Sequence, residues 1–235
     1  MRALLIEHDP LSPGGPITDA LVRHGYDVTE TVVVPAGRFD EPNVPFDFPV
    51  ASSYDLIVPM GAPWSTYDSD RIGRWVEAES GLLRGADEAG VPVLGICFGG
   101  QLLAQVHGGS VSKAPEFEIG WYTAESDEPD LIEPGPWFEW HYDRWSLPPG
   151  AREIARNARA SQAFVLRRNL ALQFHPELTP ETLEAWLGNG GDASARAHGI
   201  DVEALIAQTK REAAAASERA HRLIDRFVHR IVRPE

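Results

Sequence analysis

Short strand-like segments alternate with helical segments along most of the chain. The segments with strand character are apolar or rich in β-branched residues and comprise residues 3–6, 27–34, 54–58 and 91–96. The segments with helical composition end at or just before glycines and comprise residues 17–24, 72–90 and 101–107. Strand, helix and strand in short succession favour a parallel sheet that is covered by helices. The sequence therefore predicts an α/β fold on a mostly parallel central sheet.

The C-terminal part of the chain has a different pattern. Residues 188–191 (GNGG) have the composition of a hinge, and residues 202–232 form one long helical stretch. Its apolar positions between Leu223 and Ile231 are spaced to form a single helical face. We therefore predict a domain at residues 1–187 and a C-terminal helical extension at residues 188–235. The apolar face of the extension packs on its own domain or on a partner, and the sequence leaves both open.

Composition and charge limit the classes of partner. A chain of 235 residues with 43% hydrophobic residues is long enough to bury a full core. Its net charge of -14 opposes binding to nucleic acid or to an anionic membrane surface. No apolar run approaches the ~20 residues that a membrane-spanning helix needs. The single cysteine excludes an internal disulfide, and the N-terminus lacks a signal-peptide pattern, so a cytoplasmic location is expected.

That single cysteine, Cys97, lies in the stretch VPVLGICFGGQ, at the predicted end of an apolar strand. The carboxyl ends of parallel strands are where doubly wound sheets bind their ligands. Gly95 and Gly99 flank Cys97 with the G-x-nucleophile-x-G spacing of a nucleophile elbow, in which larger side chains would obstruct the turn. The helix that follows favours a thiolate through the positive end of its dipole. An inert, buried cysteine is the alternative, but it would not need these glycines.

A nucleophilic thiolate needs a base and a group that orients the base. The apolar segment LALQF, residues 170–174, is followed by His175, Pro176 and Glu177. If this strand is parallel to the others, His175 stands at the same sheet edge as Cys97, and Glu177 can hold its imidazole in one tautomer. The sequence therefore predicts a Cys97, His175, Glu177 triad. The other histidines considered are interpreted as surface or core residues and are His8, His24, His198, His221 and His229.

The chemistry also needs donors for the oxyanion that forms when the acyl carbon becomes tetrahedral. The backbone N–H of Phe98, immediately after the elbow cysteine, is one candidate. Gly61, in the segment VPMGAP after another predicted strand, is the second, because a glycine lets substrate approach the backbone closely. A simple strand-ending turn is the alternative for Gly61.

Three motifs in this order resemble those of the class I, triad-type glutamine amidotransferases. Within that family the chain is similar to stand-alone members of the GMP-synthetase-glutaminase and γ-glutamyl peptidase kinds, and the likeness covers residues 1–187. It implies a flavodoxin-like, three-layer α/β sandwich with a mostly parallel sheet, and hydrolysis of a γ-glutamyl amide through a thioester on Cys97. The matching positions are Gly95, Cys97, Gly99 and Gln101 in G-x-C-x-G-x-Q, His175 and Glu177 in His-Pro-Glu, and Gly61 in the oxyanion loop.

The resemblance also implies a substrate pocket. Gln101 is similar to the family glutamine that holds the α-amino or α-carboxylate end of the substrate, and residues 139–143 align with a loop that contacts the same end. Tyr142 and Asp143 are therefore expected to bind substrate, although this segment could equally be scaffold. No cofactor is expected. A metal site of His141, Asp143 and His175 is not favoured, because the close ligand spacings of such sites are absent.

Two further positions carry expectations of their own. Many family members have histidine or methionine after the second elbow glycine, where this chain has Gly100, and the smaller residue predicts a larger pocket. Glu118, in the segment EFEIGW, has two interpretations: it recognises the free amine of a substrate, or it is an exposed carboxylate on a strand.

Three functions remain open from the sequence. The first is a glutaminase that acts on L-glutamine and passes ammonia to a separate synthetase partner. The second is a stand-alone γ-glutamyl peptidase or hydrolase that acts on a larger γ-glutamyl compound. The third is a catalytically silent regulatory scaffold, against which the complete triad argues. A homo-oligomer is a further arrangement that the sequence leaves open.

Overall fold

The computed structural model describes residues 1–233, and its strands form two sheets. The strands are β1 (Arg2–Glu7), β2 (Asp27–Val32), β3 (Leu56–Pro59), β4 (Val93–Ile96), β5 (Ser110–Tyr122), β6 (Glu125–Ser126), β7 (Trp137–Ser146), β8 (Arg152–Arg156), β9 (Ser161–Leu166) and β10 (Asn169–Leu172). The larger sheet has the order β2-β1-β3-β4-β10-β9-β8-β6, and β5 pairs with β7 in a separate two-stranded sheet.

Five of the eight strands of the larger sheet are parallel to one another. Strands β2, β1, β3, β4 and β10 pair in parallel, whereas β9, β8 and β6 extend it in antiparallel pairs. Every residue of β3, β4 and β10 is buried, which explains why these strands are apolar apart from Asn169 at the start of β10. The carboxyl ends of β1, β3, β4 and β10 consequently meet at one edge of the sheet. The predicted mostly parallel sheet is confirmed, but β8 and β9 were not predicted.

Helices cover both faces of this sheet. They are α1 (Pro16–Arg23), α2 (Ser69–Glu88), α3 (Phe98–Val106), α4 (Pro180–Trp186), α5 (Asp192–Ala197) and α6 (Val202–Phe227). In β1, Ala3 and Leu5 pack in the cluster that contains α1 and α6, whereas Leu4 and Ile6 pack with α2 and α3. This alternation produces the predicted three-layer α/β sandwich. No helix among residues 1–233 has both the length and the apolar character required to cross a membrane.

The C-terminal helix packs on the sandwich. The predicted stretch of residues 202–232 is α6 followed by a π-helical turn at Val228–Val232. Its apolar face, including Leu223 and Phe227, is buried in the same cluster as α1 and the sheet. The apolar face of the extension therefore packs on its own domain, which is one of the two arrangements that the sequence leaves open. The domain division at residue 188 stays a prediction, and the last two residues of the predicted extension lie outside the described residues.

Three segments differ from their predicted conformations. Residues 188–191 are not a linker: Leu187–Gly191 is a π-helical kink between α4 and α5, in which Gly190 has a φ of 94°. Residues 139–143 are not a loop but lie within β7, paired with β5. The acidic segment at residues 125–133, which its charges predict to be a solvated loop, contains β6 and the buried Leu131 and Ile132. In the last two cases, charged residues concealed the strand pattern, because their contacts are tertiary rather than local.

Candidate active site

Cys97 occupies the sharp turn between β4 and α3. Its backbone has φ 49° and ψ -105°, a left-handed conformation that few residues other than glycine adopt. Its N–H donates to the carbonyl of Leu172 on β10 at 2.7 Å, which ties the turn to the neighbouring strand. The side chain is buried, with 5% of its surface exposed. The turn therefore has the strained geometry predicted for a nucleophile elbow.

The elbow glycines are required by close contacts with backbone atoms. A Cβ at Gly95 would lie 2.7 Å from the carbonyl oxygen of Gly99, and a Cβ at Gly99 would overlap the carbonyl of Pro59. A Cβ at Gly100 would lie 2.8 Å from the carbonyl oxygen of Leu172. Gly100 thus allows α3 to pack against β10 and does not line the cavity, so the larger pocket predicted from it is wrong.

The close contact between Gly99 and the carbonyl of Pro59 predicts a difference in stability between two glycine substitutions. Gly99→Ala should lower the free energy of unfolding by about 1–3 kcal/mol, because the new methyl group must displace buried backbone. Gly81→Ala is the matched control: Gly81 lies within α2 with no atom within 4 Å of the added Cβ. That change should raise stability by about 0.5–1 kcal/mol through helix propensity. Urea unfolding measures both, and equal effects would contradict the packing argument.

His175 and Glu177 form a buried pair beside this turn. His175 follows β10, and its backbone N–H donates to the backbone carbonyl of Phe138 at 2.8 Å. Its Nδ1 lies 2.7 Å from Oε1 of Glu177, which is fully buried. Nε2 is buried and has no hydrogen-bonded partner among the described residues. Burial lowers the pKa of His175, but the charges of Glu177 and Cys97 outweigh it and raise that pKa well above its usual value.

Gly61 lies next to both members of the cysteine–histidine pair. A Cβ built on Gly61 would be 3.0 Å from Cε1 of His175 and 3.8 Å from Cβ of Cys97. The backbone N–H groups of Gly61 and Phe98 donate to no other group among residues 1–233, so both donors are available to a ligand. The structure thus brings the residues of the predicted triad and oxyanion hole together at one sheet edge.

A cavity of about 280 Å³ opens over this group. Cys97 and His175 line it, as do all the predicted substrate-binding residues, Gln101, Tyr142 and Asp143. Much of the remaining wall is aromatic and comprises Phe39, Trp64, Phe98, Trp140 and Trp186. A concave, mostly apolar pocket with a few polar groups is typical of a small-molecule site.

The predicted binding residues already bond to one another or to neighbouring loops. Gln101 Nε2 donates to the backbone carbonyl of Asp143 at 3.2 Å. The carboxylate of Asp143 accepts hydrogen bonds from Ser65 and from the hydroxyl of Tyr67, the latter at 2.8 Å. These bonds connect β7 to the loop after β3. The role of Gln101 and Asp143 as substrate ligands stays a prediction; the bonds of Asp143 fit the scaffold alternative that the sequence left open, and Gln101 shares in that scaffold.

Tyr142 contacts a different part of the wall. Its hydroxyl lies 2.8 Å from Oγ of Ser194 on α5. Asn189 and Gly190 of the π-helical kink also line the cavity. No local pattern indicates a role for Ser65, Tyr67 or the kink, because Ser65 and the kink line the cavity and Tyr67 bonds to Asp143 only through the tertiary fold.

Glu118 is buried behind the cavity wall, so its interpretation as an exposed strand carboxylate is wrong. It lies 3.1 Å from Nε2 of His141 and accepts hydrogen bonds from Asn157 and Gln162 at 2.6 and 3.0 Å. Glu118 does not line the cavity, which gives no support to recognition of a substrate amine. Its partners instead make it part of a buried polar cluster.

Glu139 completes this cluster. Burial, followed by the charge of Glu118, raises the pKa of Glu139 well above its usual value. Among the described residues, Glu118, Glu139 and His141 are the group whose ligand atoms lie near enough together, within 4.8 Å, to hold a metal ion. Because Glu118 is already hydrogen-bonded and burial favours the neutral form of Glu139, we interpret the group as a hydrogen-bonded cluster.

The raised pKa of Glu139 predicts that Glu139→Gln is tolerated. The unfolded carboxyl titrates near 4.5 and the folded one well above it, so wild-type stability decreases as pH rises between these two values. Glutamine does not ionise in this pH range, so the Glu139→Gln variant does not lose stability in this way. We expect Glu139→Gln to gain stability relative to wild type with increasing pH, by up to about 1.4 kcal/mol per pH unit. Urea unfolding from pH 5 to 8 measures it; a difference independent of pH would contradict a protonated Glu139.

The fold and the site define an α/β protein with a cysteine at a nucleophile elbow and a His–Glu pair at the next parallel strand. The family model for Glutamine amidotransferase class-I matches residues 14–190. The chain belongs to the class I glutamine amidotransferase family.

Individual relatives agree with this assignment. A GMP synthase [glutamine-hydrolyzing] of Thermomicrobium roseum is 40% identical over 131 residues, which are 52% of this chain and 23% of that protein. The chain therefore spans about a quarter of the length of this relative. A glutamine amidotransferase-like protein of Salmonella typhimurium, YfeJ, is 28% identical over 211 residues and 85% of each chain. The solved structure of a glutamine amidotransferase from Thermotoga maritima matches with a TM-score of 0.82 and 25% identity, over 97% of this chain and 98% of that one.

Proposed function

We propose that the protein hydrolyses the γ-glutamyl amide bond of glutamine through a γ-glutamyl thioester on Cys97. The observation that carries the proposal is the placement of the Cys97 elbow beside the His175–Glu177 pair, at the base of a cavity of about 280 Å³. Membership of the class I glutamine amidotransferase family supports glutamine as the substrate class. No step requires a metal or an organic cofactor.

In the first half-reaction the sulfur of Cys97 attacks the amide carbon, and the thiol proton resides on Nε2 of His175. Nε2 is the ring nitrogen left free by the bond between Nδ1 and Glu177, so Glu177 sets the tautomer that can exchange a proton with the sulfur. The tetrahedral oxyanion accepts hydrogen bonds from the backbone N–H groups of Phe98 and Gly61. His175 then gives its proton to the leaving nitrogen, which departs as ammonia or an amine.

In the second half-reaction water attacks the thioester carbon. His175 accepts the proton of the water, and the same backbone donors bind the second oxyanion. Collapse of this intermediate expels the sulfur of Cys97 with its electron pair and releases glutamate, while His175 keeps the proton on Nε2. The cysteine–histidine pair returns to its starting state, so the cycle consumes only water and the γ-glutamyl amide.

The other end of the substrate is proposed to lie against Gln101, Tyr142 and Asp143. All three line the cavity, and the carboxylate of Asp143 is held in place by Ser65 and Tyr67. An anchored carboxylate is suited to an α-ammonium group. The same bond network keeps Asp143 at a constant position relative to the oxyanion loop.

The ammonia is proposed to pass to a separate synthetase partner, in the cytoplasm. Similarity to a glutamine-hydrolysing GMP synthase, of which this chain spans 23%, supports this route. A stand-alone γ-glutamyl peptidase is the second candidate, favoured by the match over 85% of YfeJ and by the apolar, aromatic outer wall of the cavity. A silent scaffold would not require the strained elbow at Cys97.

Glutamate release by the purified protein tests these alternatives. The substrates are L-glutamine and a panel of γ-glutamyl dipeptides with apolar, acidic and basic second residues, and Cys97→Ala is the blank. Faster release from glutamine supports the ammonia donor, and faster release from dipeptides supports the peptidase. Release at the level of the blank from every substrate would contradict both enzymatic proposals.

A further inference from the structure

A buried ion pair lies directly behind the oxyanion loop. His8 follows β1, is fully buried, and its Nδ1 lies 3.0 Å from the backbone oxygen of Gly61. Its Nε2 lies 3.1 and 3.0 Å from the two carboxylate oxygens of Glu79 on α2, which is also fully buried. The pair therefore links the ends of β1 and β3 to the helix on one face of the sheet.

The acceptors determine the protonation of His8. A carbonyl oxygen can only accept, so Nδ1 carries a proton and donates it to Gly61. Nε2 faces a carboxylate and donates to it in the same way, which makes the ring an imidazolium. Burial lowers the pKa of His8, but the Glu79 charge outweighs burial and raises that pKa above its usual value.

The same ring contacts the second half of the proposed oxyanion site. Its centroid lies 4.7 Å from the ring of Phe98, whose N–H is one proposed donor. On the other side it stacks on Trp75 at 5.3 Å. One side chain thus bonds to the loop that carries Gly61 and packs against the residue that follows Cys97.

Fixing the Gly61 carbonyl also fixes the backbone around it. The peptide unit is planar and trans, so the N–H of Ala62 points away from the carbonyl that His8 holds. Ala62 lines the cavity, and its N–H donates to no other group among residues 1–233. Rotation of this peptide would change which groups face Cys97.

We propose that His8 and Glu79 are positioning residues for the reaction: Glu79 orients His8, and His8 holds the loop after β3 so that its backbone donors face the acyl oxygen. The inference rests on the proposed function only for the identity of the acyl group. A buried ion pair is costly to desolvate and is seldom favoured for stability alone. Its cost is consistent with a role in geometry.

The test separates acylation of Cys97 from its alkylation. Acylation by 4-nitrophenyl acetate passes through a tetrahedral oxyanion, whereas alkylation by iodoacetamide needs the thiolate but forms no oxyanion. Cys97 is the only cysteine of the chain, so both reagents report on it, with Cys97→Ala as the blank. Neither reagent depends on which γ-glutamyl compound is the substrate.

The variants are His8→Asn and His8→Gln, each combined with Glu79→Gln so that no unpaired carboxylate is buried. The amide nitrogen of asparagine takes the place of Nδ1 and can donate to Gly61, whereas that of glutamine takes the place of Nε2 and cannot. The parent is the single variant Glu79→Gln. His24→Gln is the control, because His24 pairs with Asp225 at 2.7 Å and neither residue lines the cavity.

We expect His8→Gln to slow acylation about 10²–10³-fold relative to its parent, and His8→Asn to retain it within about tenfold. Alkylation should stay at the parental rate in both. With γ-glutamyl substrates, we expect the kcat of the His8→Gln variant to fall and its KM to stay at the parental value. Should a double variant fail to fold, the same comparison is made with Glu79 intact.

Three results would overturn the proposal: a parallel loss of acylation and alkylation, equal acylation by the two variants, or no acylation of wild type above the blank. Failure of the proposed function gives a different pattern. In that case wild type and His8→Asn acylate normally, but no γ-glutamyl compound is hydrolysed.

Discussion

Replacing Cys97 with alanine should reduce glutamate release at least about 10⁴-fold, since removal of a catalytic nucleophile leaves only binding and oxyanion stabilisation. The thioester cannot form without the sulfur, and no second cysteine in the chain can replace it. Alanine is smaller than cysteine, so it fits the buried space that the side chain of Cys97 occupies. Steady-state glutamate release measures the loss.

The control for this variant is its fold. Alanine retains a Cβ in the left-handed conformation of Cys97, so thermal unfolding should remain cooperative and far-ultraviolet circular dichroism unchanged. Cys97→Ser is a second, isosteric control and should be nearly as inactive, since a hydroxyl is a much weaker nucleophile. Full activity of either variant would refute the mechanism.

Replacing His175 with asparagine should lower kcat about 10³–10⁵-fold. The change removes Nε2, the nitrogen that exchanges a proton with Cys97, whereas the amide nitrogen of asparagine takes the place of Nδ1 and can keep the contact with Glu177. Since the cysteine and histidine act as a unit, the double variant with Cys97→Ala should be no slower than Cys97→Ala alone. Single-turnover and steady-state rates on the same substrate provide the measurement.

If the double variant were slower than Cys97→Ala by the full factor that His175→Asn causes on its own, the cysteine and the histidine would not act in the same step. His107 supplies a matched control, because it caps the C-terminal end of α3, whereas Cys97 caps the N-terminal end, and its Nε2 lies 3.3 Å from Nδ2 of Asn169. His107→Asn should leave kcat unchanged. A comparable loss there would mean that any disturbance of α3 explains the effect.

The core of the site could be predicted from local sequence because its requirements are local. Backbone contacts at Gly95 and Gly99 exclude any side chain, so the elbow leaves a readable spacing around Cys97. His175 and Glu177 are two residues apart, and their 2.7 Å contact needs only a short turn. The buried parallel strands were recognisable because they are apolar on both faces.

The remaining features depend on contacts between distant parts of the chain. His8 and Glu79 are 71 residues apart, and neither has a neighbouring pattern that indicates the other. Likewise, β7 carries Glu139, His141 and Asp143, whose charges suggest a surface loop until β5 and the polar cluster surround them. Gly100 was misjudged because its constraint comes from Leu172 on β10, not from the substrate.

The most direct measurement is mass spectrometry of the protein after rapid acid quench during turnover of a γ-glutamyl substrate. The mechanism predicts a γ-glutamyl adduct that maps to the peptide containing Cys97, appears before steady state and is absent from Cys97→Ala. It also predicts that protein alkylated by iodoacetamide forms neither adduct nor glutamate. The mechanism would be contradicted if the protein released glutamate without forming an adduct and if the alkylated protein continued to release it.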